Sequence, residues 1–169
     1  MSATEAEATT MDHEADDLVI ARRVLRLESE ALAALAAALG ESFVAAVDCL
    51  DAVAGRIIVS GMGKSGHVAR KIAATLASTG SPAVFVHPGE ASHGDLGMIT
   101  ESDAVVVLSN SGRTPELNDL VAYSRRFAIP LLAIIGSPGS QLAQSADVAL
   151  ELPPTPEACP LGLAPTTST

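Results

Sequence analysis

The pattern of apolar and polar positions changes character once along the chain. Up to about residue 55, apolar side chains recur every three or four residues, as at Leu18, Ala21, Val24, Leu25 and Leu32, the spacing of an amphipathic helix. The pattern begins at about Asp12, and "AALAAALG" closes it at Gly40, a natural C-capping residue. Ser42 is placed to cap a second helix, "FVAAVDCLDAVAG", which again stops at glycine. From Arg56 onward five short apolar runs follow: "RIIVS" (56–60), "AVFVH" (83–87), "AVVVLS" (104–109), "PLLAII" (130–135) and "DVALEL" (147–152). The first four are almost continuously apolar, as strands are when both faces of a parallel sheet are covered. The fifth partly alternates, with Glu151 interrupting it, which suits an edge strand.

Helical patterns separate the runs: "GHVARKIAATLAS" (66–78), "PELNDLVAYSRRF" (115–127) and "SQLAQSA" (140–146). Strand alternating with helix predicts an α/β fold, a doubly wound five-stranded parallel sheet flanked by helices. Three regions are expected: a disordered acidic tail over residues 1–11, N-terminal helices over 12–55, and the sheet domain over 56–169. Ligands of such sheets bind beyond the carboxyl ends of the strands. The loops after runs one, two, three and five are therefore where chemistry is sought.

Composition narrows the classes. The 169 residues are 48% hydrophobic but only 2% aromatic, so the core is aliphatic and offers little for base stacking. The net charge is −10, and six of the 20 acids lie in the first 17 residues, which contain no Lys or Arg. No basic stripe exists to favour nucleic acid or an anionic membrane. No stretch has the length of a membrane span, and no charged-then-apolar leader opens the chain. Cys49 and Cys159 have neither disulfide-framework nor metal spacing, so the expectation is a cytoplasmic protein with reduced thiols.

The first loop, "VSGMGKSGHVARK" (59–71), has the glycine spacing of a phosphate cradle. A nucleotide P-loop needs glycine where Ile58 stands, so that reading fails. Gly61, Gly63 and Gly66 match a dinucleotide fingerprint, but no carboxylate lies near the expected ribose position, where the chain reads "STGSPAV". What remains is an anion or oxyanion site built from close backbone, a helix N-terminus and Lys64.

The loop "LSNSGRTPEL" sets Ser109, Ser111 and Thr114 around Gly112, with Pro115 at a first helical position, Thr114 as its N-cap and Glu116 in the first turn. It reads as a second anion site made of hydroxyls. The loop "HPGEASHGDLG" brings His87 and His93 with Glu90 and Asp95, residue types that polarise carbonyls, contact sugar hydroxyls or bind metal. Its spacing is not a zinc pattern. His67 reads as helix surface or packing, and His13 falls in the acidic tail. The last loop, "PPTPEACPLGLAPTTST", is stiff with proline, has Glu157 as its only acid, and ends on hydroxyls that look like the start of a helix.

Taken together, "GMGKSGHVARKIAATLASTG", "FVHPGEASHGDLGM", "SNSGRTPE" and "EACPLGLAPTTST" resemble the sugar-isomerase (SIS) domain, and within it the arabinose-5-phosphate isomerase family. The resemblance runs from about residue 20 to the end of the sequence. It implies interconversion of D-ribulose 5-phosphate and D-arabinose 5-phosphate, which feeds synthesis of the Kdo sugar of lipopolysaccharide. It also implies a homotetramer that needs no organic cofactor, with a divalent metal, zinc especially, near the site. Carried over by motif, Lys64, Glu116 and Glu157 take the catalytic positions. Ser109, Ser111 and Thr114 hold the phosphate, and His87 and His93 line the sugar end, with His87 as the metal contact. Gly63, Ser65, Gly80, Ser81 and Thr166 complete the implied substrate-binding set. Members of the family continue through a further helix, a His-Pro-Gly-Gly loop with a catalytic histidine, and a pair of CBS domains, none of which is in these 169 residues.

The chemistry suits the residues without the resemblance. Aldose–ketose isomerisation through an enediolate needs a carboxylate base, a proton shuttle and a cation beside the developing oxyanion. Which glutamate is the base is not readable from the sequence. Two other readings stand beside the isomerase: a non-catalytic sugar-phosphate-binding module or inactive fragment, and an isomerase for another phosphosugar such as a phosphoheptose or phosphohexulose.

Overall fold

A computed structural model describes residues 3–168, with side chains from Asp16 onward. The disordered tail expected over residues 1–11 is not seen from Ala3 onward, where the backbone is already helical, and the helix starts there and not near Asp12. Residues 1–2 and the side chain of His13 lie outside what is described. The chain forms two compact units, Met1–Ala38 with Thr155–Ser168, and Leu39–Pro154.

In the first unit α1 spans Ala3–Ala38. The Arg23 guanidinium donates to the Ala158 carbonyl at 2.8 Å, tying the helix to the later segment. Leu18, Val19, Ile20, Leu25 and Leu32 of α1 are each more than half exposed.

The second unit runs α2 (Glu41–Asp51), β1 (Ile57–Gly61), α3 (Gly63–Ser78), β2 (Ala83–Phe85), α4 (Pro88–Ser92), β3 (Ala104–Ser109), α5 (Asn118–Arg126), β4 (Leu131–Ile135), α6 (Gln141–Ser145) and β5 (Val148–Glu151). The strands form one parallel sheet in the order β2-β1-β3-β4-β5. All five expected strands are present, with β5 at one edge as its alternation suggested and the short β2 at the other. Three local expectations change. Gly40 is the extended N-cap of α2 and not a left-handed C-cap, Ser42 lies inside that helix, and α2 ends at Asp51, short of Gly55. The short α4 was not anticipated, because five residues carry no readable period.

The continuous apolar runs are explained by the two faces they serve. Ile58, Val105, Val107, Leu131, Ala133 and Ile135 face a core shared with α4, α5 and α6. Their neighbours Ile57, Val59, Ala104, Val106, Leu108 and Leu132 face a core shared with α2 and α3. Alternation along each strand feeds both layers, so no position on β1, β3 or the start of β4 tolerates a polar residue without a partner. Ser60, wholly buried, obeys this by donating to the Val86 carbonyl at 2.7 Å.

Two aspartates fix the amino ends of the strands. Asp103, only 2% exposed, accepts from the Arg56 amide at 2.7 Å and the Thr100 amide at 2.8 Å, joining the starts of β1 and β3. Asp147 accepts from the Leu131 amide at 2.9 Å and from Arg125 at 2.6 Å, joining β4 and β5. Burial pushes the Asp103 carboxyl up, but the hydrogen bonds from Thr100 and Arg56 outweigh it and hold the group below its ordinary value of 3.8. A depressed carboxylate stabilises the fold above its unfolded pKa, and that stabilisation is lost as pH falls through the folded value. Stability followed by urea denaturation is therefore expected to decline as pH drops below about 4. Asp103→Asn is expected to be less stable at neutral pH and to show a flatter acid limb.

Candidate functional site

The sheet order reverses direction between β1 and β3, since the chain goes from β1 outward to β2 and then returns to β3 on the other side. At such a switch point the loops leaving adjacent strands diverge and open a crevice beyond their carboxyl ends. The loops after β1 and β3 are therefore neighbours, as the sequence reading required.

The first loop is a very tight strand-to-helix turn. A Cβ on Gly66 would lie 2.6 Å from the Gly61 carbonyl oxygen, and one on Gly61 would meet the Ser65 backbone at 3.0 Å. Gly63, with φ of +58°, opens α3 in the left-handed region. No side chain caps α3 and no acid sits in its first turn. Lys64 and Gly63 are exposed there, and Ser65 is half-buried. A cation in the first turn opposes the helix dipole, so Lys64 stands where it helps the fold least and an incoming anion most. Lys64 forms no ion pair among the described residues.

In the loop after β3 the hydroxyls divide into two kinds. Ser109 is 4% exposed, and its Oγ pairs with Thr114 Oγ1 at 2.8 Å and accepts from the Gly112 amide at 3.1 Å. Thr114 precedes the turn at Pro115–Leu117, but its hydroxyl is engaged with Ser109 and does not cap that turn as expected. Both residues shape the loop; Ser111 is exposed, and its Oγ accepts from the Arg113 amide at 3.3 Å. Gly112, with φ of +60°, presses on α6: a Cβ there would lie 2.5 Å from Ser140 Cβ. Ser140 is the buried N-cap of α6, accepting from the Ala143 amide at 3.3 Å. Glu116 is exposed, and the described residues give its carboxylate no hydrogen bond or ion pair.

His87 and His93 stand at the two ends of α4. His87 accepts the Gly89 amide at Nδ1, 3.1 Å away, and so caps the helix; His93 is exposed at the other end. The five residues of α4, Pro88–Ser92, lie between them. Among the described residues no group of three His, Cys, Asp or Glu side chains is placed to hold a metal. The described residues do not fit a dedicated zinc site. His67 is exposed on α3.

Gly80 and Ser81 are not brought to the crevice. They lie between α3 and β2, at the amino ends of the strands, and line a groove with Val47, Leu50, Leu76 and Pro82. A helix returning from the carboxyl end of β1 must deposit its C-terminal turn at the opposite edge of the sheet.

Glu157 and Thr166 belong to the first unit and are described within it. Glu157 Oε2 accepts from the Thr166 amide at 2.6 Å, the Thr166 hydroxyl at 3.0 Å and the Thr167 amide at 2.8 Å. Hydrogen bonding from the Ser168 hydroxyl, with those from Thr166 and Thr167, lowers its carboxyl from 4.5 to about 2. A carboxylate with such a pKa is a fixed anion at neutral pH and a weak proton acceptor. Of the two glutamates the sequence could not tell apart, Glu116 is the one whose carboxylate is left open.

Sequence reasoning missed Ser60, Ser140 and the stack of Arg70 on Phe85 beside His87. Only Ser140 left a signal, as a serine directly before a helical pattern.

A family model for the SIS domain matches residues 52–169. The arabinose 5-phosphate isomerase KdsD of Pseudomonas aeruginosa is 52% identical over 159 residues, covering 94% of this chain and 49% of its own length. The protein of the same name from Escherichia coli is 50% identical over 148 residues, 88% of this chain and 45% of its own length. The chain thus spans about half the length of the curated relatives it matches. Among solved structures, E. coli CFT073 c3406 in complex with arabinose 5-phosphate superposes with a TM-score of 0.86 at 38% identity, covering 91% of this chain and 82% of that one.

Two outcomes test the geometry. Gly66→Ala is expected to lower stability by about 1–3 kcal/mol, read from the urea midpoint, because the new methyl meets backbone that cannot move alone. The Glu157 carboxyl, followed by carbon NMR, is expected to titrate near about 2. Glu157→Ala should speed hydrogen exchange of the Thr166 and Thr167 amides by on the order of tenfold or more.

Proposed function

Because the chain belongs to the SIS domain family, we propose that it is the phosphosugar-binding and isomerising part of an enzyme interconverting D-ribulose 5-phosphate and D-arabinose 5-phosphate. The observation that carries this reading is the identity of about half the residues over 94% of the chain to a protein named for that reaction. The geometry at the switch point supplies the parts: an uncapped helix N-terminus with Lys64, a hydroxyl loop, and an open carboxylate on Glu116.

In this reading the Gly63–Ser65 turn and the Ser111 loop receive the anionic and hydroxylated ends of the substrate. Glu116 takes a proton from C1 of the ketose, the electron pair moves into an enediolate, and Lys64 stabilises the oxygen that gains charge. The proton on O1 passes to O2 by way of solvent, and the same carboxyl, its proton exchanged with solvent, protonates C2 to give the aldose. His87 and His93 contact sugar oxygens. Glu157 acts as a fixed negative charge that holds the 166–168 turn. The reaction needs no organic cofactor.

Further parts of the proposal concern setting. Among the described residues no single helix is long and apolar enough to cross a membrane, and a cytoplasmic role in lipopolysaccharide precursor synthesis suits the relatives' activity. A homotetramer is supported by the exposed Leu18, Val19, Leu25 and Leu32 of α1 and Val44 and Val47 of α2, apolar surface of the kind partner copies cover. A second reading, a phosphosugar-binding module without turnover, is favoured by Glu157, whose carboxylate is filled by donors from residues 166–168.

The test is a proton NMR time course of the chain with D-ribulose 5-phosphate in D₂O. Arabinose 5-phosphate carrying deuterium at C2 is the expected product, with Lys64→Ala and Glu116→Gln each slower by on the order of 10²–10⁴-fold. A folded chain that binds the substrate without converting it would establish the binding module instead.

A further inference from the structure

Pro88 has no N–H, so the first amide at the start of α4 that can be capped belongs to Gly89, and His87 Nδ1 accepts it at 3.1 Å. A backbone amide can only donate. The nitrogen facing it must therefore carry the lone pair, and in the neutral ring the proton sits on Nε2. Among the described residues no hydrogen bond is made to Nε2.

The ring is also held from the side. Phe85 and His87 are two apart, and their rings meet edge-on at 6.3 Å between centroids and 65° between planes. Phe85 is in turn covered by the Arg70 guanidinium, 4.0 Å from the ring centroid. Arg70 comes from α3, whose approach to β2 is set at Gly66, where a Cβ would sit 3.8 Å from Phe85 Cζ. On the capped side the fit is close, since a Cβ on Gly89 would lie 3.2 Å from Nδ1.

We propose that Arg70 and Phe85 are positioning residues which, with the Gly89 amide, hold His87 as the Nε2–H tautomer, so that it offers a hydrogen-bond donor and not a metal-binding lone pair. A divalent ion at Nε2 would need the proton moved to Nδ1 and the Gly89 bond given up, or an imidazolate formed. Either change opposes the cap. That the donor meets an oxygen of a phosphosugar rests on the function proposed above; the tautomer and its supports do not.

The tautomer is measured directly by long-range proton–nitrogen NMR of the nitrogen-labelled 169-residue chain at about pH 8, with His87→Gln assigning the signals. A protonated Nε2 and a bare Nδ1 are expected, unchanged when zinc is added. A bare Nε2, or a zinc-induced shift of His87 alone at micromolar metal, would overturn the proposal. Phe85→Leu should leave the urea midpoint nearly unchanged but admit the second tautomer, with Phe85→Tyr restoring one. Unaltered His87 signals in folded Phe85→Leu would remove the positioning role. None of these readouts needs turnover, so a chain that fails to isomerise ribulose 5-phosphate leaves the result standing.

Discussion

The contact between Gly61 and Gly66 is the constraint on which the site depends. The carbonyl of Gly61 occupies the space that any side chain at Gly66 would need, so strand and helix meet with backbone against backbone. That closeness lets α3 lie on the sheet through Ala69 and Ala73, both buried, and aims its uncapped N-terminus at the crevice. It also brings Arg70 down onto Phe85, and through Phe85 it reaches His87. One backbone approach thus sets the cradle and the orientation of a histidine in the next loop.

The polar groups of the sheet domain are arranged so that its carboxyl edge is free. Asp103 and Asp147 spend their oxygens on amides at the amino ends of the strands, and Ser60 spends its hydroxyl across β1 and β2. Ser109, Thr114 and Ser140 spend theirs within the third loop and its support on α6. Lys64 and Glu116, in the loops after β1 and β3, are among the groups left unspent in the described residues. Buried polar groups must find partners inside the fold, and groups left open on a rigid frame are the ones available to a ligand.

Glu157 shows how one residue type takes two roles. Its carboxylate is filled by donors from residues 166–168 and held near a pKa of about 2, while that of Glu116 meets water. A base that must accept a proton near neutrality cannot also be saturated with hydrogen bonds to its charged form.

The sequence alone determined the strands, their order of appearance and the loops that matter, because runs such as "AVVVLS" are apolar at every position only when both faces are covered. It also determined the tight turn of the first loop, since glycine spacing reports backbone demands directly. Tertiary structure decided what depends on contacts far apart in the chain. It turned Ser109 and Thr114 inward, sent Gly80 and Ser81 to the opposite edge, and gave Glu157 its donors from residues nine and ten positions later. It committed one nitrogen of His87 to a backbone amide. Periodicity records which side of an element is buried; it does not record which partner a polar atom finds there.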